Sequence, residues 1–179
     1  MVEDRIGYRY AKSVFELAEE KKLLDPTRED MALLDELATN NREFRNLLES
    51  PLIKAGAKQA IMDRLFGDRF QSAITPLLVA MVVRKSREMY LPQVAKSFLS
   101  IYDTENGIVR GSLTSAVSLS EAEQKEIQQA VEKKLGKRFV MQTEVDPELI
   151  GGFVLKFGDR LFDGSVASSI RRIKQELTN

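Results

Sequence analysis

The chain of 179 residues contains no cysteine and no histidine. Those two absences remove disulfides, thiolate nucleophiles, nearly every zinc site, the Ser-His-Asp and Cys-His triads and imidazole proton shuttles. Catalysis would have to rest on carboxylates, Lys, Arg, Tyr or hydroxyls, or on glycine loops holding a nucleotide. An excess of charge of either sign is missing as well. Lys+Arg and Asp+Glu both number 27, so the formal net charge is zero and no global field favours nucleic acid or an anionic membrane. Long hydrophobic runs are also lacking. The longest, "PLLVAMVV" from Pro76 to Val83, falls far short of the ~18 residues a membrane span needs. The chain is therefore not expected to cross a bilayer by itself. The opening "MVEDRIGYRYAKSVFELAEE" has no apolar core behind a basic region, and is expected to be neither a signal nor a transit peptide.

What is present reads as an α+β chain: an N-terminal six-helix bundle over residues 1–105, followed by a small mixed α/β module over 106–179. Apolar positions in the first helix, Ile6, Tyr10, Ala11, Val14, Phe15 and Ala18, repeat by three and four. Pro26 is placed to start the second helix, with Met31, Leu34, Leu37 and Ala38 repeating in the same way. A short turn around Phe44, Leu47 and Leu48 stops at Ser50-Pro51. The fourth helix puts Ala57, Ile61 and Leu65 on one face and ends at Gly67. The fifth reads "SAITPLLVAMVVRKS", and the sixth runs from about Tyr90 to Asn106 with Leu91, Val94, Phe98, Ile101 and Tyr102 inward.

After Gly107 the period changes. Val109, Leu113 and Val117 alternate as in a strand, and so do Phe139, Met141, Thr143 and Val145. Between them lies a helix opened by Ser120 and Glu123 in capping-box spacing and closed by Gly136. Phe153, Leu155 and Phe157 form a further strand, Gly158-Asp159 a tight turn, and Leu161-Phe162 the start of the return. A last helix lines up Val166, Ile170, Ile173 and Leu177.

The glycine-rich stretch "IGGFVLKFGDRLFDGSV" invites a phosphate-binding reading, but neither a Walker loop nor a dinucleotide fingerprint is present. Gly151 and Gly152 precede a strand, and Gly164 is followed by Ser165 rather than by a lysine. The "DGSV" helix start could hold an anion, which leaves a small phosphate- or nucleotide-binding protein as the alternative function. Capping by Asp163 or Ser165 is the plainer use of the same residues. On that reading Gly151, Gly152, Gly158, Asp163, Gly164 and Ser165 are turn and cap residues. Asp63 and Asp68 lack the ligand spacing of a calcium loop. The clusters Lys133-Lys134-Lys137-Arg138 and Arg171-Arg172-Lys174 have no aromatics beside them to stack on bases, so solvated helix ends or rim contacts to a protein are expected. No catalytic residue, metal or cofactor is indicated, and no nucleic acid partner.

Apolar surface in excess is more informative. The apolar arc of the first helix spans about half its circumference, against the roughly 100° stripe that one core contact requires. The fifth helix, with Ile74, Leu77, Leu78, Val79, Met81, Val82 and Val83, leaves almost no polar side and is expected to be buried all round. Such a helix is either the centre of its own bundle or one wall of a groove that receives a partner's helix.

At this point the residues resemble a known family. "RYAKSVFELAEEKKLLD" resembles the "RYAxALFxLA" opening of the delta subunits of bacterial F-type ATP synthases, counterparts of the mitochondrial oligomycin-sensitivity-conferring protein. "VDPELIGGFVLKFGDRLFDGSVASSIRRIKQEL" is similar to that family's C-terminal signature, "DPxLIGGxxxxxGDxxxDGSVxxxLxxL". "SPLIKAGAKQAIMDRLF" and "GIVRGSLTSAVSLSEAE" fall between them in the expected order, and Arg87 matches the arginine of the family's "NxR" connection. The resemblance implies a non-enzymatic stator subunit at the cytoplasmic face of the bacterial inner membrane. It implies that the bundle receives the N-terminal helix of an alpha subunit between the first and fifth helices, at Ile6, Tyr10, Val14, Leu17, Leu78 and Val82. It also implies that the C-terminal module joins the b subunits of the peripheral stalk.

Overall fold

The computed structural model describes residues 2–158, 160–166 and 168. Contacts divide the chain into two units, Met1–Asp103 and Thr104–Asn179. The first is helical: α1 (Val2–Glu20), α2 (Leu24–Asn40), α3 (Arg42–Glu49), α4 (Ala55–Phe66), α5 (Ile74–Arg84), a 3₁₀ turn at Glu88–Tyr90, and α6, which begins at Leu91 and runs to Glu105. Its core draws on every helix, from Ala11, Val14, Phe15 and Ala18 of α1 to Leu91, Val94 and Phe98 of α6. Aromatic rings order that interior, with Phe15 against Phe98 at 5.7 Å between centroids and Phe66 stacked on Phe70 at 4.8 Å.

The structure adds the inward face of α4, which the sequence left open, and corrects one expectation about α5. The stripe Ala57, Ile61 and Leu65 of α4 does share a face, but it is the outer one; Lys58, Met62 and Phe66 point inward. The reason is Lys58, whose ammonium donates to Leu48 O at 2.9 Å and pairs with buried Glu88, so a charged residue occupies an interior position. The fifth helix is not buried all round. Ile74, Leu78, Val79, Val82 and Val83 are buried, but Leu77 is 67% exposed and Ala73, Pro76 and Ala80 share the open side.

A polar network fixes where α5 begins. The buried carboxylate of Asp30 on α2 accepts from Gln71 N at 2.8 Å, from Ser72 N at 3.0 Å and from the Thr75 hydroxyl at 2.6 Å. Thr27 donates to the Ser72 hydroxyl at 2.8 Å, which in turn accepts from Ile74 N. These groups take up amide donors at the start of α5 and put negative charge against the positive end of its dipole. Nearer the start of α2, Tyr102 of α6 donates to Asp25 at 2.6 Å. That bond, with burial second, holds the phenol's pKa above its ordinary value.

The second unit is built on a four-stranded sheet in the order β2-β1-β3-β4: β1 (Ile108–Ser115), β2 (Arg138–Val145), β3 (Phe153–Phe157) and β4 (Arg160–Asp163). The crossover helix α7 (Glu121–Leu135) joins β1 to β2 in parallel, and β1–β3 and β3–β4 are antiparallel. Ser120 and Glu123 form the expected capping box, with the Ser120 hydroxyl and amide holding the Glu123 carboxyl below its ordinary pKa. Register brings Leu113 beside Leu155 and Val109 beside Phe139, so the α7 side of the sheet carries the core of Leu113, Phe139 and Leu155. Val117 lies beyond the end of β1 and is exposed, so the strand face expected to reach it stops two residues earlier.

Candidate functional site

The glycine-rich stretch resolves into a turn and a capped helix start. Phe157 pairs with Arg160 across a two-residue loop at Gly158, whose φ is +53°; Asp159 lies outside the described residues, as do Ile170, Ile173, Leu177 and the cluster Arg171-Arg172-Lys174. Asp163 accepts from Ser165 N at 2.9 Å, and the Ser165 hydroxyl accepts from Ser168 N at 3.2 Å. Val166 N donates to Gly151 O, and Gly164 N to Phe153 O. The described amides at this helix start are thus held by the chain's own acceptors, with the Asp163 carboxylate standing where an anion would have to sit. Gly152 has φ +82°, and a Cβ there would lie 2.3 Å from Gly164 O. Only glycine lets the two segments approach so closely. Among the described residues no cluster of carboxylates suited to a metal occurs.

Of the six residues assigned to a partner groove, the structure puts Val14, Leu78 and Val82 inside the bundle core. Ile6 and Tyr10 are half-buried, and Leu17 is 39% exposed. A wheel of α1 explains the division. Gly7, Ala11, Val14, Phe15 and Ala18 face the bundle, and Ile6, Tyr10 and Leu17 form a stripe to one side of them. Helices α1 and α5 are in contact. Arg87 donates to the Tyr10 hydroxyl at 2.9 Å, tying the stripe on α1 to the connection that follows α5. On α5 the accessible apolar side chains are Leu77 and, half-buried, Met81. Sequence pattern alone missed these two, because an apolar helix carries no marker of which face turns outward.

A second apolar surface lies within the α/β unit. Helix α7 and the β3–β4 hairpin enclose a groove of about 520 Å³, floored by Phe153, Leu155, Phe157 and Phe162 and edged by Lys134 and Arg160. Sequence reading missed it, because its walls come from segments separated along the chain.

Described in these terms, the molecule is a two-module protein with apolar surfaces suited to other chains. The family model for the ATP synthase delta (OSCP) subunit matches residues 6–177. The ATP synthase subunit delta of Lactobacillus gasseri is 33% identical over 175 residues, covering 97% of this chain and 95% of the relative. That of Desulfitobacterium hafniense is 32% identical over 179 residues, covering 100% and 99%. A chain in the structure of the Toxoplasma gondii mitochondrial ATP synthase hexamer superposes with a TM-score of 0.73 at 23% identity, over 97% of each chain, a likeness of fold. The chain belongs to the ATP synthase delta (OSCP) subunit family.

Proposed function

We propose that this chain is a non-catalytic stator adaptor of an F-type ATP synthase, holding the catalytic sector to the peripheral stalk against rotor torque. Family membership over nearly the whole chain is the observation that carries this reading. In it, the 1–105 bundle receives the N-terminal helix of an alpha subunit, and the 106–179 module meets the b subunits. The complex places the chain at the cytoplasmic face of a bacterial inner membrane. No helix among the described residues is long and apolar enough to cross a membrane, which fits attachment through partners.

The accessible stripe Ile6, Tyr10 and Leu17, with Leu77 and Met81, is the contact surface in this proposal. Val14, Leu78 and Val82 back it from the core. An apolar helix laid on such a surface suits a torque-bearing link, because burial at roughly 25 cal/mol per Å² depends little on fine angles. The Asp30 network and the Tyr10–Arg87 bond would keep α5 and α1 in register under load.

The test is titration of the full-length, isotope-labelled chain with a peptide of the cognate alpha subunit's N-terminus. Amides around Tyr10, Leu17, Leu77 and Met81 are expected to shift together. Shifts confined to other helices would remove the groove assignment.

A further inference from the structure

Lys58 of α4 and Glu88 of the 3₁₀ turn meet inside the helical unit, at 3% and 8% exposure. Taking two charges out of water costs about as much as their attraction supplies, so a buried pair of this kind adds little stability over apolar residues of the same size. This pair is not even fully satisfied. Glu88 Oε2 is buried without a hydrogen-bond partner among the described residues, and such an atom carries a desolvation cost. What the pair does supply is position. Lys58 donates to Leu48 O on α3 at 2.9 Å as well as to Glu88, so α4 fixes the turn Glu88–Tyr90 against α3. The same turn also touches α1 and α5.

Arg87 stands immediately before Glu88, and it is the residue that donates to Tyr10 in the accessible stripe of α1. Behind it, α5 closes with Arg87 N on Val82 O at 2.8 Å and Ser86 N on Val83 O at 3.0 Å, around Ser86 at φ +53°. Serine takes that left-handed conformation less readily than glycine does, so the turn depends on being held at its far side. Glu88, pinned by Lys58, is that hold. We propose that the buried Lys58–Glu88 pair is a positioning device for the partner surface, setting Arg87 against Tyr10 and so fixing the Tyr10 ring in the stripe. The inference rests on the proposed use of that stripe, and it makes α4, which contributes no residue to the stripe, a determinant of partner affinity.

The test replaces the pair by apolar residues of similar size, Lys58→Met/Glu88→Leu, in the full-length chain, with circular dichroism confirming that the helices remain. In the free chain the Arg87 Nε–Hε resonance is expected to move in this variant; an unmoved resonance would overturn the positioning. For the N-terminal peptide of the cognate alpha subunit, affinity is expected to fall at least about fivefold, within reach of losing one hydrogen bond to a charged group. Adding Arg87→Gln should lower affinity by a similar factor in the parent chain but by less than about twofold in the apolar variant, because both changes break one chain of contacts. Additive losses, or parent affinity in the apolar variant, would overturn the proposal. Glu88→Gln, which keeps the shape and removes the charge, takes the same place in the cycle if the apolar variant unfolds, with the same non-additivity expected. A peptide that fails to bind the parent chain removes the groove assignment, and the Arg87 resonance then decides by itself whether the pair positions that side chain.

Discussion

The two units solve the problem of burying apolar surface differently. In the helical unit every helix contributes to one core, and buried polar groups such as Asp30, Thr27, Ser72 and Thr75 are bonded to one another. In the α/β unit only Leu113, Phe139 and Leu155 are fully buried apolar residues among those described, and an open aromatic groove runs beside them. The first unit therefore carries its own stability, and the partner surface proposed for it lies on its flank. The second has a small core beside an aromatic groove that stays open among the described residues.

The largest effect expected from this contrast is on folding. Phe139→Ala and Phe98→Ala remove comparable rings, each at a cost of about 4 kcal/mol. Hydrogen exchange should show β1–β2 amides losing protection in Phe139→Ala while helices α1–α6 stay protected. Phe98→Ala should leave its unit folded but weaker. Loss of protection in both units together, in either variant, would break the comparison.

Next in size is the α5 anchor. Asp30→Ala leaves Gln71 N, Ser72 N and the Thr75 hydroxyl without their buried acceptor, and should cost about 3 kcal/mol in urea unfolding. Its effect should be confined to the helical unit. Gly7→Ala follows: the added Cβ would stand 2.8 Å from Gln93 Cβ, so α1 must move from α6 at a cost of about 2 kcal/mol. The smallest effect is at the exposed cap of α7. Ser120→Ala should cost about 1 kcal/mol. Because the Glu123 pKa is lowered in the folded chain, its contribution is present above the ordinary value of 4.5 and lost as pH falls through the folded value. Circular dichroism below that pH should show helix loss in the parent and a flatter response in Glu123→Gln.

How much of this was legible in the sequence follows the reach of each signal. The α7 cap was readable because Ser120 and Glu123 are three residues apart and act locally. The alternation of Phe153, Leu155 and Phe157 foretold β3 for the same reason. The inward face of α4 was obscured because Lys58 stands in line with Met62 and Phe66, and its burial is made tolerable by Glu88 and the Leu48 carbonyl, both distant in sequence. On α5 the apolar residues supplied no phase, so the sequence does not separate buried Leu78 and Val82 from exposed Leu77 and half-buried Met81. Lys134 was readable as a solvated or rim-contact residue of a helix end, but the groove it edges needs β3 and β4 brought beside α7.

The most direct test of the stator role is coupling in the reconstituted ATP synthase carrying Leu17→Asp/Leu77→Asp. ATP-driven proton pumping should fall severalfold at an unchanged rate of ATP hydrolysis, because a catalytic sector released from its stalk turns without doing work on the membrane sector. Pumping per ATP equal to that of the parent enzyme, with the variant chain present in the complex, would contradict the account.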